Sequence, residues 1–226
     1  MASARYRNVE VTVDGATLPE AQAYCRYAVE ERGKVEKFWG ATWTDLVRID
    51  VSPRYEISKA LTLAHAGRRG CMEMPLRRMR ENSGGLLHEF VHIYAPSDNR
   101  FLAEGLAVHL HSKLAGNPAP PNFGEDLHEL AARRLPDMAS LAALNKVRTP
   151  RRLNTITDAR TAYILAGSFV GYLMERYGLD DFRKFYQTEN YERDLGKPLE
   201  ALEAAWRLSI APGFRDAQRT AMPLEL

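Results

Sequence analysis

The stretch Ser83-Gly84-Gly85-Leu86-Leu87-His88-Glu89-Phe90-Val91-His92-Ile93-Tyr94-Ala95-Pro96 decides how the rest of this chain is read. Leu86, Leu87, Phe90, Val91 and Tyr94 recur at helical spacing, and Ser83 is placed to cap the helix. The helix must stop near Ala95-Pro96, because a proline pushes the residue before it out of the α region. Residues four apart share one helix face, so the imidazoles of His88 and His92 can both reach a single ion. Neutral imidazole is a good zinc ligand, and a carboxylate one residue after the first histidine can act as a base toward water at the metal. The bland reading of these residues is a surface helix with two unrelated histidines, since so short a pattern also arises by chance.

A catalytic zinc takes three protein ligands and keeps a fourth position open, so a third donor must lie elsewhere in the chain. Two downstream carboxylates compete for it, Asp98 and Glu104. Asp98 would need a sharp turn after the helix, where the chain has Ala95-Pro96 in place of a glycine. A turn over Ser97-Asp98-Asn99 leads instead to a second helix, about Arg100 to Leu114, closed by Gly116. Laid against the first helix, it would bring Glu104 over the histidine pair. Glu104 is the favoured ligand, and Asp98 is the alternative or else a cap for the turn or the next helix.

Upstream of the motif the patterns are mixed. Tyr6 to Val13 alternates like a half-buried strand ended by Asp14-Gly15, a helix runs from near Pro19 to about Arg32, and Leu46 to Val51 reads as a second strand. Gly70 to Leu76 reads as a third, at a sheet edge because Pro75 cannot donate to a ladder. Residues 117–124, with three prolines, form a loop, and helical patterns follow at about 125–134, 137–145, 158–177, 179–187 and 198–209. The expected class is therefore α+β within a single domain. A small mixed lobe over about 1–95 is followed by a mainly helical lobe over about 96–226, with the site where they meet.

Composition narrows the function classes. A formal charge of +2 points to neither nucleic acid nor an anionic membrane, and no stretch is long and apolar enough to span a bilayer. The arginine runs Arg77, Arg78, Arg80 and Arg148, Arg151, Arg152 read first as solvated faces and second as anion sites. Two cysteines, Cys25 and Cys71, cannot make a disulfide scaffold, and the N-terminus carries no signal-peptide pattern, so a cytoplasmic protein is expected.

Phe101-Leu102-Ala103-Glu104-Gly105-Leu106-Ala107 resembles the Trp-x-x-Glu-Gly-x-Ala signature of compact gluzincins, the peptidase MA-like group distantly related to thermolysin and aminopeptidase N. Phe101 replaces the tryptophan and keeps an apolar ring. Tyr163 to Leu173 followed by Arg176-Tyr177-Gly178 resembles the group's Tyr…Gly-Ser-Phe…Leu…Tyr-Gly helix, and Leu199 to Trp206 its closing helix. The match covers about residues 70–208 in consistent order. It implies a zincin-like fold and one Zn²⁺ held by His88, His92 and Glu104. It also implies hydrolysis of a peptide or protein substrate with Glu89 as general base, and Tyr163 as the candidate oxyanion stabiliser. Cys71, Met72, Glu73 and Met74 would align substrate along an edge strand. The same string resembles the Gly-x-Met-Glu-Asn motif of aminopeptidase N relatives, which would give Glu73 a substrate's free amine. Two rival readings use the same residues: a zinc hydrolase acting on a non-peptide amide or ester, and a zinc-binding protein without catalysis. His111 is a weaker candidate for a place behind the ligands, and His65, His109 and His128 receive no role.

Overall fold

Val9, Val11 and Val13 alternate with Glu10 and Thr12, and Val47, Ile49 and Val51 with Arg48 and Asp50, so each segment can bury one row of side chains in a sheet. In the computed structural model, which describes residues 1–61, 70–135, 141–148 and 158–211, these rows form the core of a mixed five-stranded sheet. Its strands are β1 (Ala2–Tyr6), β2 (Val9–Val13), β3 (Val47–Ser52), β4 (Lys59–Leu61) and β5 (Cys71–Pro75), in the order β1-β2-β3-β5-β4. β2, β3 and β5 are parallel, and the two outer strands run antiparallel to their neighbours. Register places Val11, Ile49, Met72 and Ala60 in one row and Val13, Val51 and Met74 in the next. Each fully buried valine or isoleucine in such rows stabilises by about 1.5–3 kcal/mol.

The sheet belongs to one of two compact units, Met1–Pro96 with Leu110–Gly124. Within it, α1 (Leu18–Trp39) lies against β1 and β2, and α3 (Leu86–Tyr94) lies against α1 and β4. The short helix α2 (Leu76–Arg80) follows β5. A capping box starts α1: the Thr17 N–H donates to Glu20 Oε2 at 2.8 Å and the Glu20 N–H to Thr17 Oγ1 at 3.4 Å. The helix ends on Gly40, whose φ of 68° is the left-handed cap that glycine tolerates best.

Three expectations are corrected. The strand expected over Tyr6 to Val13 is a hairpin turning at Arg7-Asn8, with Tyr6 opposite Val9. The helix expected to end near Arg32 runs on to Trp39. Gly33 faces open space, so its propensity cost of about 1 kcal/mol does not break the helix, and Val35 is buried beyond it. The strand expected at the edge, residues 71–75, is interior. β3 pairs with one side of it and β4 with the other, and Pro75 is tolerated because it is the last strand residue. Cys71, Met72 and Glu73 are therefore paired on both sides, and Met74 is paired with β3. Among the described residues the outer strand beside them is β4.

The second unit comprises Ser97–His109 and Glu125–Leu226, so the division passes through α4 (Arg100–Leu114). Its other described helices are α5 (Leu127–Arg134), α6 (Leu141–Asn145), α7 (Ala159–Thr188), α8 (Tyr191–Leu195) and α9 (Leu199–Ile210). The break expected between residues 177 and 179 is a kink inside α7 at Gly178, φ 78°. Phe101, Phe169 and Trp206 form the aromatic centre, with the Phe169 and Trp206 rings edge to face at 5.6 Å. The Ser168 hydroxyl sits in that core. It accepts from Trp206 Nε1 at 3.0 Å and pairs with His128 Nδ1 at 2.8 Å, tying α5, α7 and α9 together.

Glycine decides how closely α4 meets α7. A β-carbon on Gly105 would lie 2.6 Å from the Ala166 carbonyl oxygen and 2.7 Å from Val170 Cγ2. One on Gly167 would lie 2.6 Å from Val108 Cγ1, and one on Gly171 would lie 2.7 Å from His109 Nδ1. The two helices touch backbone to side chain along this line, which seats the turn that carries Glu104. Among the described residues no helix is long and apolar enough to cross a membrane.

Candidate metal centre

Helix α3 is held by its apolar residues, since Leu86, Leu87, Phe90, Val91 and Ile93 are all buried. Its start is Gly85, without a side-chain cap, and the expected cap Ser83 instead turns its hydroxyl to Glu81. Asn117 takes over the fastening. Its amide donates to the Asn82 and Gly84 carbonyls at 3.0 and 3.1 Å, and its oxygen accepts from the Tyr27 hydroxyl at 3.0 Å. At the other end, Tyr94 accepts from Arg32 Nε at 2.9 Å and donates to Glu36.

His88 and His92 stand one turn apart on this helix, with Nε2 atoms 3.1 Å apart and rings crossed at 80°. Two ligands in tetrahedral positions around zinc would be about 3.3 Å apart, so the pair already has the spacing of a metal chelate. His92 and Glu89 are buried, and His88 is half-buried. Glu89 Oε2 accepts the Ala60 N–H at 2.7 Å. Ala60 lies opposite Met72, and its N–H is turned away from β5 toward the open edge.

Glu104, in the second unit, is only 3% exposed, and one of its oxygens is paired with the Arg100 guanidinium one turn earlier. The cap of its helix is Asn99, not Asp98. The fully buried Asn99 side chain accepts the Leu102 N–H at 3.2 Å and donates to Asn145 and Glu189, while Asp98 is exposed. One donor atom from each of His88, His92 and Glu104 lies within 4.8 Å of the others. They are the only such three-residue group of histidine, cysteine or carboxylate donors among the described residues. Two neutral imidazoles and a carboxylate are a donor set that suits Zn²⁺.

The remaining candidates fall elsewhere. Tyr163 is half-buried in the second turn of α7. Glu73 lies in the strand row that alternates with buried Met72 and Met74. His128 belongs to the Ser168 network, Arg148 pairs with Glu189 at 3.0 Å, and His65, Arg151 and Arg152 lie outside the described residues. Sequence reasoning did not find Ala60, Asn99 or Asn117. The first acts through its main chain, and the others are ordinary loop residues until their partners are known.

His111 is buried in the first unit, with Nε2 3.1 Å from the Asn117 carbonyl oxygen. Burial first, and the charge of His88 second, push its imidazole down to about 4. Above the ordinary histidine value of about 6.5 the imidazole is neutral whether the chain is folded or not. As pH falls from there to about 4, the unfolded chain takes the proton first, so stability falls through that window and levels off below it. The expected loss is about 3 kcal/mol. Denaturant unfolding at pH 7 and pH 4.5 should show a shallower loss for His111→Gln than for wild type, and equal losses would remove this assignment.

No protein-family model and no curated protein sequence matches the chain. Solved structures do. An M1 zinc metallopeptidase from Deinococcus radiodurans aligns with a TM-score of 0.51 at 17% identity, over 88% of this chain and 47% of that one. The E323A mutant of that peptidase gives 0.50 at 18% identity, with the same coverage. The mutant bound to a Tyr-Ser-Ala substrate gives 0.50 at 17% identity. The chain spans about half the length of these structures, and the likeness at such identity is one of fold: a mixed sheet followed by helices, as in the catalytic region of M1 zincins.

Proposed function

We propose that the chain is a zinc-dependent peptidase whose ligands are His88, His92 and Glu104 and whose base is Glu89. The observation that carries this reading is the convergence of exactly the donor types a catalytic zinc uses, with a buried carboxylate one residue from the first of them. A bound Zn²⁺ would polarise the scissile carbonyl and lower the pKa of the attacking water. Glu89 would take that water's proton and deliver it to the leaving amine. The Ala60 N–H donates to Oε2 and so holds the carboxylate in place for that role. An extended peptide would pair with the open edge of β4, where Ala60 is turned outward, and not with β5. Tyr163 remains the candidate for the oxyanion.

The test is metal removal and return. A chelator should abolish cleavage of a peptide library, and one equivalent of Zn²⁺ should restore it. Stoichiometric zinc without cleavage of any peptide would sink the peptidase reading, and failure to bind zinc would sink the site as well.

A further inference from the structure

Arg77, Arg78 and Arg80 sit together on α2, yet they are partnered differently. Arg77 meets Glu81 at 3.0 Å, and Arg80 meets Glu20 at 3.6 Å and donates to the Gly15 carbonyl at 2.7 Å. Both are exposed, as ordinary surface ion pairs are. Arg78 is half-buried and meets no carboxylate among the described residues. Its side-chain hydrogen bond goes to the Ser58 hydroxyl at 3.4 Å, directly before the edge strand β4.

The position matters for the chemistry at Glu89. By the β4–β5 register Ser58 continues the strand opposite Met74, and its hydroxyl reaches the Met74 sulfur at 3.2 Å. Ser58 is therefore in the row of side chains that includes Ala60, whose N–H is bonded to Glu89. Two strand residues span roughly 7 Å. A guanidinium thus stands about two residues along the lane from the general base. Gly84 packs closely against this corner: a β-carbon there would be 2.9 Å from the Met74 sulfur and 3.8 Å from Arg78 Cβ. A half-buried guanidinium with no carboxylate partner among the described residues is costly to keep and matches a carboxylate with two parallel donors.

We propose that Arg78 is a specificity residue that recognises a carboxylate on the substrate, about two residues from the scissile bond. The inference rests on the peptidase reading above. Two groups supply the same chemistry, an aspartate or glutamate side chain and the α-carboxylate of a chain terminus. Charge-assisted hydrogen bonds of this kind correspond to about a tenfold to hundredfold preference in kcat/KM.

The experiment uses the zinc-loaded full chain and alanine-based peptides carrying one Glu, Gln or Lys at each position, with free or amidated C-termini. Cleavage and equilibrium binding are both measured. Wild type should prefer Glu over Gln at one position, or a free over an amidated terminus, and the arm that responds identifies the source. Arg78→Gln should bring that ratio to about one, and Arg78→Glu should turn it toward the Lys peptide. Thermal unfolding accompanies each variant, and the two ratios are internal to one protein sample, so partial unfolding cannot imitate a switch of preference. Cleavage without carboxylate preference, or a preference that survives in Arg78→Gln, overturns the inference and leaves the peptidase reading standing. Arg78-dependent binding of the Glu peptide without any cleavage overturns the peptidase reading and with it the place beside a scissile bond, leaving Arg78 a carboxylate-binding residue only, and neither cleavage nor preferential binding overturns both.

Discussion

Glu89→Gln should lower kcat by about 10²–10⁴-fold while one zinc per chain stays bound. Glutamine has the shape of the carboxylate, and its amide oxygen can still accept the Ala60 N–H that now reaches Oε2 at 2.7 Å. The side chain should therefore stay where it is, and the sheet edge with it. What it cannot do is take a proton from water and return it to an amine. Loss confined to kcat, with KM and melting temperature close to wild type, is the signature of a group needed for the chemical step alone. Steady-state kinetics with zinc measured on the same sample checks this. Turnover within a few-fold of wild type, zinc still bound, would exclude Glu89 as the base.

Glu104→Ala should weaken zinc binding by more than the roughly 10–100-fold that follows from losing a partner behind the ligands. The carboxylate is almost fully buried, and no other acid joins the histidine pair in a three-donor group among the described residues. Its removal also strips Arg100 of its ion-pair partner, so a lower melting temperature should accompany the lost affinity. Asp98→Ala is the control, since Asp98 is exposed and neither caps α4 nor joins the donor group. Competition titration against a zinc chelator reads both variants. Near-normal affinity in Glu104→Ala, or a loss in Asp98→Ala instead, would reassign the third ligand.

The parts of this molecule that were legible in its sequence are those with a local physical signature. Helical periodicity placed α3 and α4, the four-residue spacing put His88 and His92 on one face, and Gly178 marked the break in α7. The parts that were not legible depend on partners far along the chain. β4 has only three residues, too few to show a period, and the edge that Pro75 suggests falls on the longer strand beside it. Asn99 outcompetes Asp98 as a cap because Asn145 and Glu189 hold it from behind, some 46 and 90 residues away. The apolar spacing that reads as helix in the sequence ends at Ala28, whereas the burial of Val35, on the stretch that continues to Trp39, is a tertiary term. A main-chain donor such as the Ala60 N–H carries no side-chain signature at all.

The contact of α4 with α7 has a consequence at the level of the gene. Every missense change in a glycine codon, whichever base is altered, yields a residue with a β-carbon, and Gly105, Gly167 and Gly171 have no space for one. Gly105 is the strictest of them, because its nearest neighbour is the Ala166 main-chain oxygen, whereas Gly167 and Gly171 meet the Val108 and His109 side chains. A saturation-mutagenesis survey scored for folded protein should therefore find its emptiest column at Gly105, with sparser tolerance at Gly167 and Gly171 than at exposed glycines. The blank beside Glu104 would arise from helix spacing and would be there even if the metal chemistry were never assayed.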